Sequence, residues 1–217
     1  MNMLIIILGF IIGSLIEMYM IYYKNTAFQW QHVVLLNGVL AGVYTYNFYL
    51  FGCHIEGVLS GVFITVIFIL TLIDWKYMLL PTRIIQIGSS IAIVGKSFLA
   101  YLYQDSHILL ESLLGGAIGY GVIAGVFYLC LWLLKKEGMG YGDVRYLGMI
   151  GLFTSPSSVF LTLFIGSLLG SIYGYILYRR YKESRAFCFG PFLSIGACIS
   201  LFYGESIIDW YMNVWLI

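Results

Sequence analysis

Apolar residues recur in runs of about 20 along nearly the whole chain, each long enough to cross a bilayer core as a helix. Short polar breaks divide them into approximate spans at 3–23, 33–52, 57–73, 84–103, 108–134, 144–155, 157–178 and 186–203. The pattern predicts an all-α fold. It is a polytopic transmembrane helical bundle of about eight membrane segments with a short sixth helix, forming a single integral-membrane domain over 1–217. No basic residue precedes the first run and Lys24 follows it, so it reads as a retained helix and not as a cleaved signal peptide. Residues 206–217 are aromatic and apolar but too short to span, which places them at the outer interface.

Composition strengthens this picture. The chain is 61% hydrophobic and 10% charged, against roughly a quarter charged in soluble domains. No polar stretch is long enough for a separate soluble domain. With a net charge of +1 and basic residues scattered over short loops, nucleic acid is not an expected partner; membrane lipid is. Nineteen tyrosines and five tryptophans suit surfaces at a membrane interface. Cys53, Cys130, Cys188 and Cys198 contain no C-x-x-C pair, and His32, His54 and His107 form no ligand cluster, so no metal and no cofactor is expected.

Charge decides orientation. Ten of the eleven basic residues follow odd-numbered spans: Lys24, Lys76, Arg83, Lys135, Lys136, Arg145, Arg179, Arg180, Lys182 and Arg185. The other loops contain His54, Glu56, Asp105, His107, Glu205 and Asp209. The positive-inside rule makes the odd loops cytoplasmic and both termini outside; the expected location is the inner (cytoplasmic) membrane, multi-pass. The sixth span is short for the bilayer, yet it must cross to keep Arg179–Arg185 inside; a helix starting below the membrane surface in a wet cavity satisfies both demands. Gly115 with Gly119, and Gly166, Gly170 and Gly174, recur every four residues, as close helix contacts require.

Two acids stand out. Asp74 ends the third span in Leu72-Ile73-Asp74-Trp75-Lys76-Tyr77-Met78-Leu79-Leu80-Pro81, and Asp143 opens the sixth. Both fall on the basic side, where two carboxylates can share a proton and activate water. Gly138, Gly140 and Gly142 precede Asp143: taken alone they suit a cytoplasmic turn between two helices with a capping aspartate, and alternatively they permit unusual dihedrals and close approach of a peptide backbone in an active-site loop. Considering each acid's own helix, Asp143 at an N-terminus is expected to be the more anionic partner and Asp74 to hold the shared proton.

The stretch Glu137-Gly138-Met139-Gly140-Tyr141-Gly142-Asp143-Val144-Arg145 resembles the signature of the type IV prepilin peptidases, intramembrane aspartyl proteases of the GxGD type. Asp74 with Leu80-Pro81 is similar to that family's other catalytic segment, Phe189-Gly190-Pro191-Phe192-Leu193 to its last-span element, and Gly13-Ser14 to a pair near its N-terminus. The resemblance implies that Asp74 and Asp143 are the catalytic dyad of an aspartic endopeptidase. Its partners would be prepilins or pseudopilins, whose basic leader is removed at the cytoplasmic membrane boundary, in pilus biogenesis or protein secretion. Many members also have a cysteine-rich zinc loop after the first span and N-methylate their product. Here that loop is only about Lys24 to His32 and lacks the cysteines, which argues against a zinc site and against methyltransferase activity. Thr82 stands where the family often has Asp, so position 82 is not counted as catalytic. The competing expectations are a proton-coupled transporter, in which Asp74 and Asp143 relay together with Glu17, Lys96 or Glu111, and a non-catalytic pilin-assembly protein. Oligomeric state is not legible.

Overall fold

The computed structural model describes residues 30–135, 140–183 and 187–215. The expected first span with Gly13, Ser14 and Glu17, and Gly138 of the glycine loop, lie outside them. Every described element is a helix: α1 (Trp30–Phe51), α2 (Ile55–Tyr77), α3 (Thr82–Tyr103), α4 (His107–Leu134), α5 (Tyr141–Phe153), α6 (Pro156–Tyr181) and α7 (Gly190–Trp215). Five of them, α2, α3, α4, α6 and α7, are long and apolar enough to cross a membrane. The protein is thus an all-α, multi-pass membrane protein.

One expected boundary is wrong. The last span was to stop near residue 203, with the tail lying apart at the interface, but α7 continues without a break to Trp215. Glu205 and Asp209 are turns of that helix. No proline or glycine pair interrupts 205–215, so hydrogen bonding propagates through the two acids.

The chain forms two compact units, one up to Ile69 and one from Leu70 onward. In the first, α1 meets the early turns of α2 where Tyr44 and Phe48 lie against Gly61, and Leu40, Ala41, Phe63 and Ile64 are buried. Asn47 Nδ2 donates to the Gly57 carbonyl at 2.9 Å and the Tyr44 hydroxyl to that of Gly61, also at 2.9 Å. Polar side chains in apolar helices thereby find acceptors.

The second unit contains the end of α2 and the remaining helices. Its centre is the shortest of them. α5 packs against α3, α4, α6 and α7, and buries Val144, Tyr146, Leu147, Met149, Ile150 and Phe153 on several faces. A helix covered all round belongs to the interior. With 13 residues it is about 20 Å long, which suffices for a helix lying inside the protein. Close approach to α4 depends on glycine: a Cβ on Gly151 would stand 2.1 Å from the Gly115 carbonyl oxygen, and one on Gly119 2.5 Å from that of Leu147. The expected stripe on α6 also lies at an interface, Gly166 against Leu193, Gly170 against Phe189 and Gly174 against Phe187.

The helix ends follow local chemistry. Met78 takes a left-handed φ of 51° and its N–H donates to the Asp74 carbonyl at 2.8 Å, which closes α2. Pro81 then stands at the N-cap of α3, its fixed φ starting the next helix. At the head of α6, Ser155 caps the Ser158 N–H and Pro156 occupies the first turn, where no N–H is needed. The four cysteines are all free thiols.

Candidate active site

Asp74 lies in the last turn of α2 and is only 5% exposed. Its Oδ2 accepts a hydrogen bond from the backbone N–H of Gly190, 2.9 Å away, at the start of α7. The approach is so close that a Cβ on Gly190 would stand 2.6 Å from Oδ2. Phe189-Gly190-Pro191 makes this contact possible: glycine leaves the room, and the helix begins there with orphan N–H groups. The Phe189 carbonyl receives the N–H groups of Phe192 and Leu193, the first bonds of α7.

Asp143 is the third residue of α5, 8% exposed. Gly140 is the N-cap, its carbonyl accepting the Asp143 N–H at 3.1 Å, while the Gly140 N–H bonds back to the Asp143 carboxyl. This is one half of a capping box, the N3 carboxyl reaching back to the N-cap N–H, with aspartate in the place of glutamate and no N-cap side chain to supply the other half.

The two acids share one neighbourhood. The Asp74 charge bears on Asp143. The loop thiol of Cys188 senses both: burial first, then the Asp74 carboxylate, and to a lesser extent that of Asp143, push it above the usual thiol range. Of the residues singled out in the sequence, Asp74, Asp143, Gly140 and Gly142 therefore come together in the second unit.

Two expectations need correction. Gly140 has an ordinary extended backbone, φ −72° and ψ 136°, and a Cβ there would lie 3.4 Å from Asp143 Oδ2, so unusual dihedrals are not its reason. Gly142 does serve close approach, since a Cβ would lie 2.9 Å from Leu80 Cβ. That contact joins the Leu-Pro turn after Asp74 to the first turn carrying Asp143. The expected proton asymmetry considered only each acid's own helix. Asp74 also faces the N-terminus of α7, whose donor and dipole act against the field of its own helix end.

A second cluster holds the head of α5 and was not anticipated. Arg145 Nη1 donates to Thr82 Oγ1 at 2.7 Å, and its guanidinium lies 4.7 Å from the centre of the Tyr141 ring. The Tyr141 hydroxyl meets that of Tyr120 at 2.5 Å, and its ring packs edge-on against Phe127. Position 82 thus anchors a cation through a neutral hydroxyl. A third cluster, Thr71, Tyr146 and Ser194, lies one turn deeper. Its signal in the sequence was faint: Thr71 and Tyr146 are each three residues from an aspartate, on the same helical face.

Of the residues offered for a transmembrane relay, Glu111 is exposed on the first turns of α4 and Lys96 is half-buried on α3. Among the described residues, no three His, Cys, Asp or Glu side chains converge as metal ligands would.

A buried pair of aspartates from two helix ends in an all-α membrane protein is a candidate acid site. The family model for the type IV leader peptidase family matches residues 61–175, and the chain belongs to that family. Similar proteins include the prepilin leader peptidase/N-methyltransferases of Aeromonas salmonicida (strain A449), 32% identical over 72% of this chain and 53% of that protein, and of Aeromonas hydrophila, 32% identical over 74% and 54%. That of Pseudomonas aeruginosa is 33% identical over 66% of this chain and 49% of that protein. The chain thus spans about half the length of the curated relatives it matches. No solved structure matches it.

Proposed function

We propose that this protein is a membrane aspartyl endopeptidase that removes the basic leader from type IV prepilins or pseudopilins, with Asp74 and Asp143 as its catalytic pair. The observation that carries this reading is the burial of both carboxylates in one unit, close enough for one charge to act on the other. Family membership supports the substrate class, which is that of the named relatives.

Two adjacent carboxylates cannot both ionise cheaply, so the pair retains one proton in its working state. The ionised member takes a proton from water as the oxygen attacks the scissile carbonyl. The protonated member donates to the carbonyl oxygen, and a proton returns to the amine as the tetrahedral species collapses. Burial and the fixed N–H donors of Gly190 and Gly140 hold the acids ready for this exchange.

The active site faces the cytoplasm in this reading. The end of the second unit that carries the aspartates also carries Lys76, Arg83, Lys135, Arg145, Arg179, Arg180 and Lys182 at its helix termini and loops, as the positive-inside rule requires. A substrate helix in the bilayer would then present its leader junction at the right depth. Gly140 and Gly142 flank the place where an extended segment could lie. No metal or other cofactor enters the scheme.

The test is cleavage of a leader-bearing prepilin in liposomes by the wild type, Asp74→Asn and Asp143→Asn. The amides keep shape and remove the acid; loss of about 100-fold or more in each is expected. Normal cleavage by either variant would refute the pair.

A further inference from the structure

Three hydroxyls from three helices meet at one buried point beneath the aspartates. Thr71 Oγ1 donates to Ser194 Oγ at 2.5 Å, the Tyr146 hydroxyl lies 2.6 Å from the same oxygen, and Ser194 donates to the Gly190 carbonyl at 2.9 Å. A serine hydroxyl has one proton and two lone pairs. With its proton on Gly190, Ser194 accepts from both Thr71 and Tyr146, and all its capacity is used. Tyr146 is 0% exposed and Ser194 6%, so water cannot replace a lost partner without rearrangement.

The placement relates this junction to the acids. Thr71 precedes Asp74 by three residues on α2, and Tyr146 follows Asp143 by three on α5, so each stands about one turn from its aspartate on the same face. Ser194 sits one turn into α7, bonded to the carbonyl of the residue whose N–H holds Asp74. A slide of α5 along α7 costs apolar contacts little at first. It breaks the Tyr146–Ser194 bond at once, because hydrogen bonds weaken steeply with distance and angle.

We propose that Ser194, Tyr146 and Thr71 are positioning residues for the two aspartates. Their junction locks the register of α2, α5 and α7, and with it the spacing of the carboxylates. The proposal rests on the reading of Asp74 and Asp143 as the catalytic pair. Misplacement of reacting groups by about 1 Å can lower a rate 100-fold, so a small slip is enough to matter.

The experiment uses the full chain in liposomes and the variants Tyr146→Phe, Ser194→Ala, Thr71→Val and Thr71→Ser. Ser112→Ala serves as the control, since it loses a part-buried bond of 2.5 Å to the Leu152 carbonyl at the opposite end of α5. Two readouts are taken: kcat and KM on a leader-bearing prepilin, and infrared titration of the carboxyl bands, assigned with Asp74→Asn and Asp143→Asn. Tyr146→Phe and Ser194→Ala are expected to lower kcat about tenfold or more with little change in KM, and to move the carboxyl titration. Thr71→Ser should restore what Thr71→Val loses, and Ser112→Ala should alter melting alone. Wild-type kcat and unchanged carboxyl bands in folded Tyr146→Phe would overturn the proposal, as would an equal effect from Ser112→Ala. Tyr146→Phe keeps its shape and decides the matter should Ser194→Ala not fold. If the wild type cleaves no prepilin, the proposed function falls by itself, and the carboxyl bands still decide whether the junction positions the acids.

Discussion

Gly190 gives its backbone N–H to Asp74 Oδ2 across 2.9 Å, joining the first residue of α7 to the last turn of α2. The bond needs an α-carbon without a side chain. Gly190→Ala would put a methyl group 2.6 Å from the carboxylate oxygen and displace it. Cleavage is expected to fall by about 100-fold through misplacement of the acid. Gly140→Ala, whose methyl would stand 3.4 Å from Asp143 Oδ2, should cost much less. Comparing kcat for the two variants checks the contrast.

Gly142 against Leu80 predicts a suppressor. A methyl group at 142 would lie 2.9 Å from Leu80 Cβ, which is fixed to the backbone and cannot swing away. Gly142→Ala should therefore push back the turn that follows Asp74 and lower activity. Adding Leu80→Gly removes the obstructing atom and should recover part of the loss. Additive losses in the double variant would contradict this account.

The Arg145–Thr82 bond predicts what an acid at position 82 would do. Thr82→Asp would face Arg145 Nη1, now 2.7 Å from the threonine oxygen, and form a charge-assisted bond in its place. Activity should stay within a few-fold and melting should not fall. Arg145→Ala removes both that bond and the cation over Tyr141, and is expected to destabilise the head of α5 by about 1–2 kcal/mol. Thermal melting in detergent reads both.

Cys188 offers a check that needs no substrate. Burial and the two carboxylates hold its thiol above the usual range, so little thiolate is present near neutral pH. In a background with the other three cysteines replaced by serine, alkylation should be slow at neutral pH and accelerate as pH rises. Asp74→Asn removes the larger negative neighbour, favours the thiolate and should speed alkylation; Asp143→Asn should do so less. Equal rates in all three proteins would mean that the acids do not converge on this loop.

The α4–α5 contact predicts a sharp difference among glycines. Gly151→Ala would place a Cβ 2.1 Å from a backbone oxygen of Gly115 and is expected to cost more than about 2 kcal/mol. Gly121 and Gly125 have nothing within 4 Å, and alanine at either should be neutral or stabilise the helix by about 0.5–1 kcal/mol. Denaturant or thermal melting separates the classes.

The linear order of residues was sufficient for much of this protein. Apolar runs must become helices in a bilayer, because only a helix satisfies its backbone within one segment, and that argument needs no tertiary contact. Glycines at four-residue spacing announced close faces, and the cluster around Asp143 marked the candidate site. Asp74 could be paired with it because the loop charges place both on one side. The fold alone decided the rest. Which helix N-terminus Asp74 would meet, why position 82 touches Arg145, and how Thr71, Tyr146 and Ser194 converge all depend on the mutual register of helices. Register is an outcome of packing over whole surfaces. A hydroxyl in an apolar helix looks the same in the sequence whether it bonds to its own preceding turn or to another helix altogether.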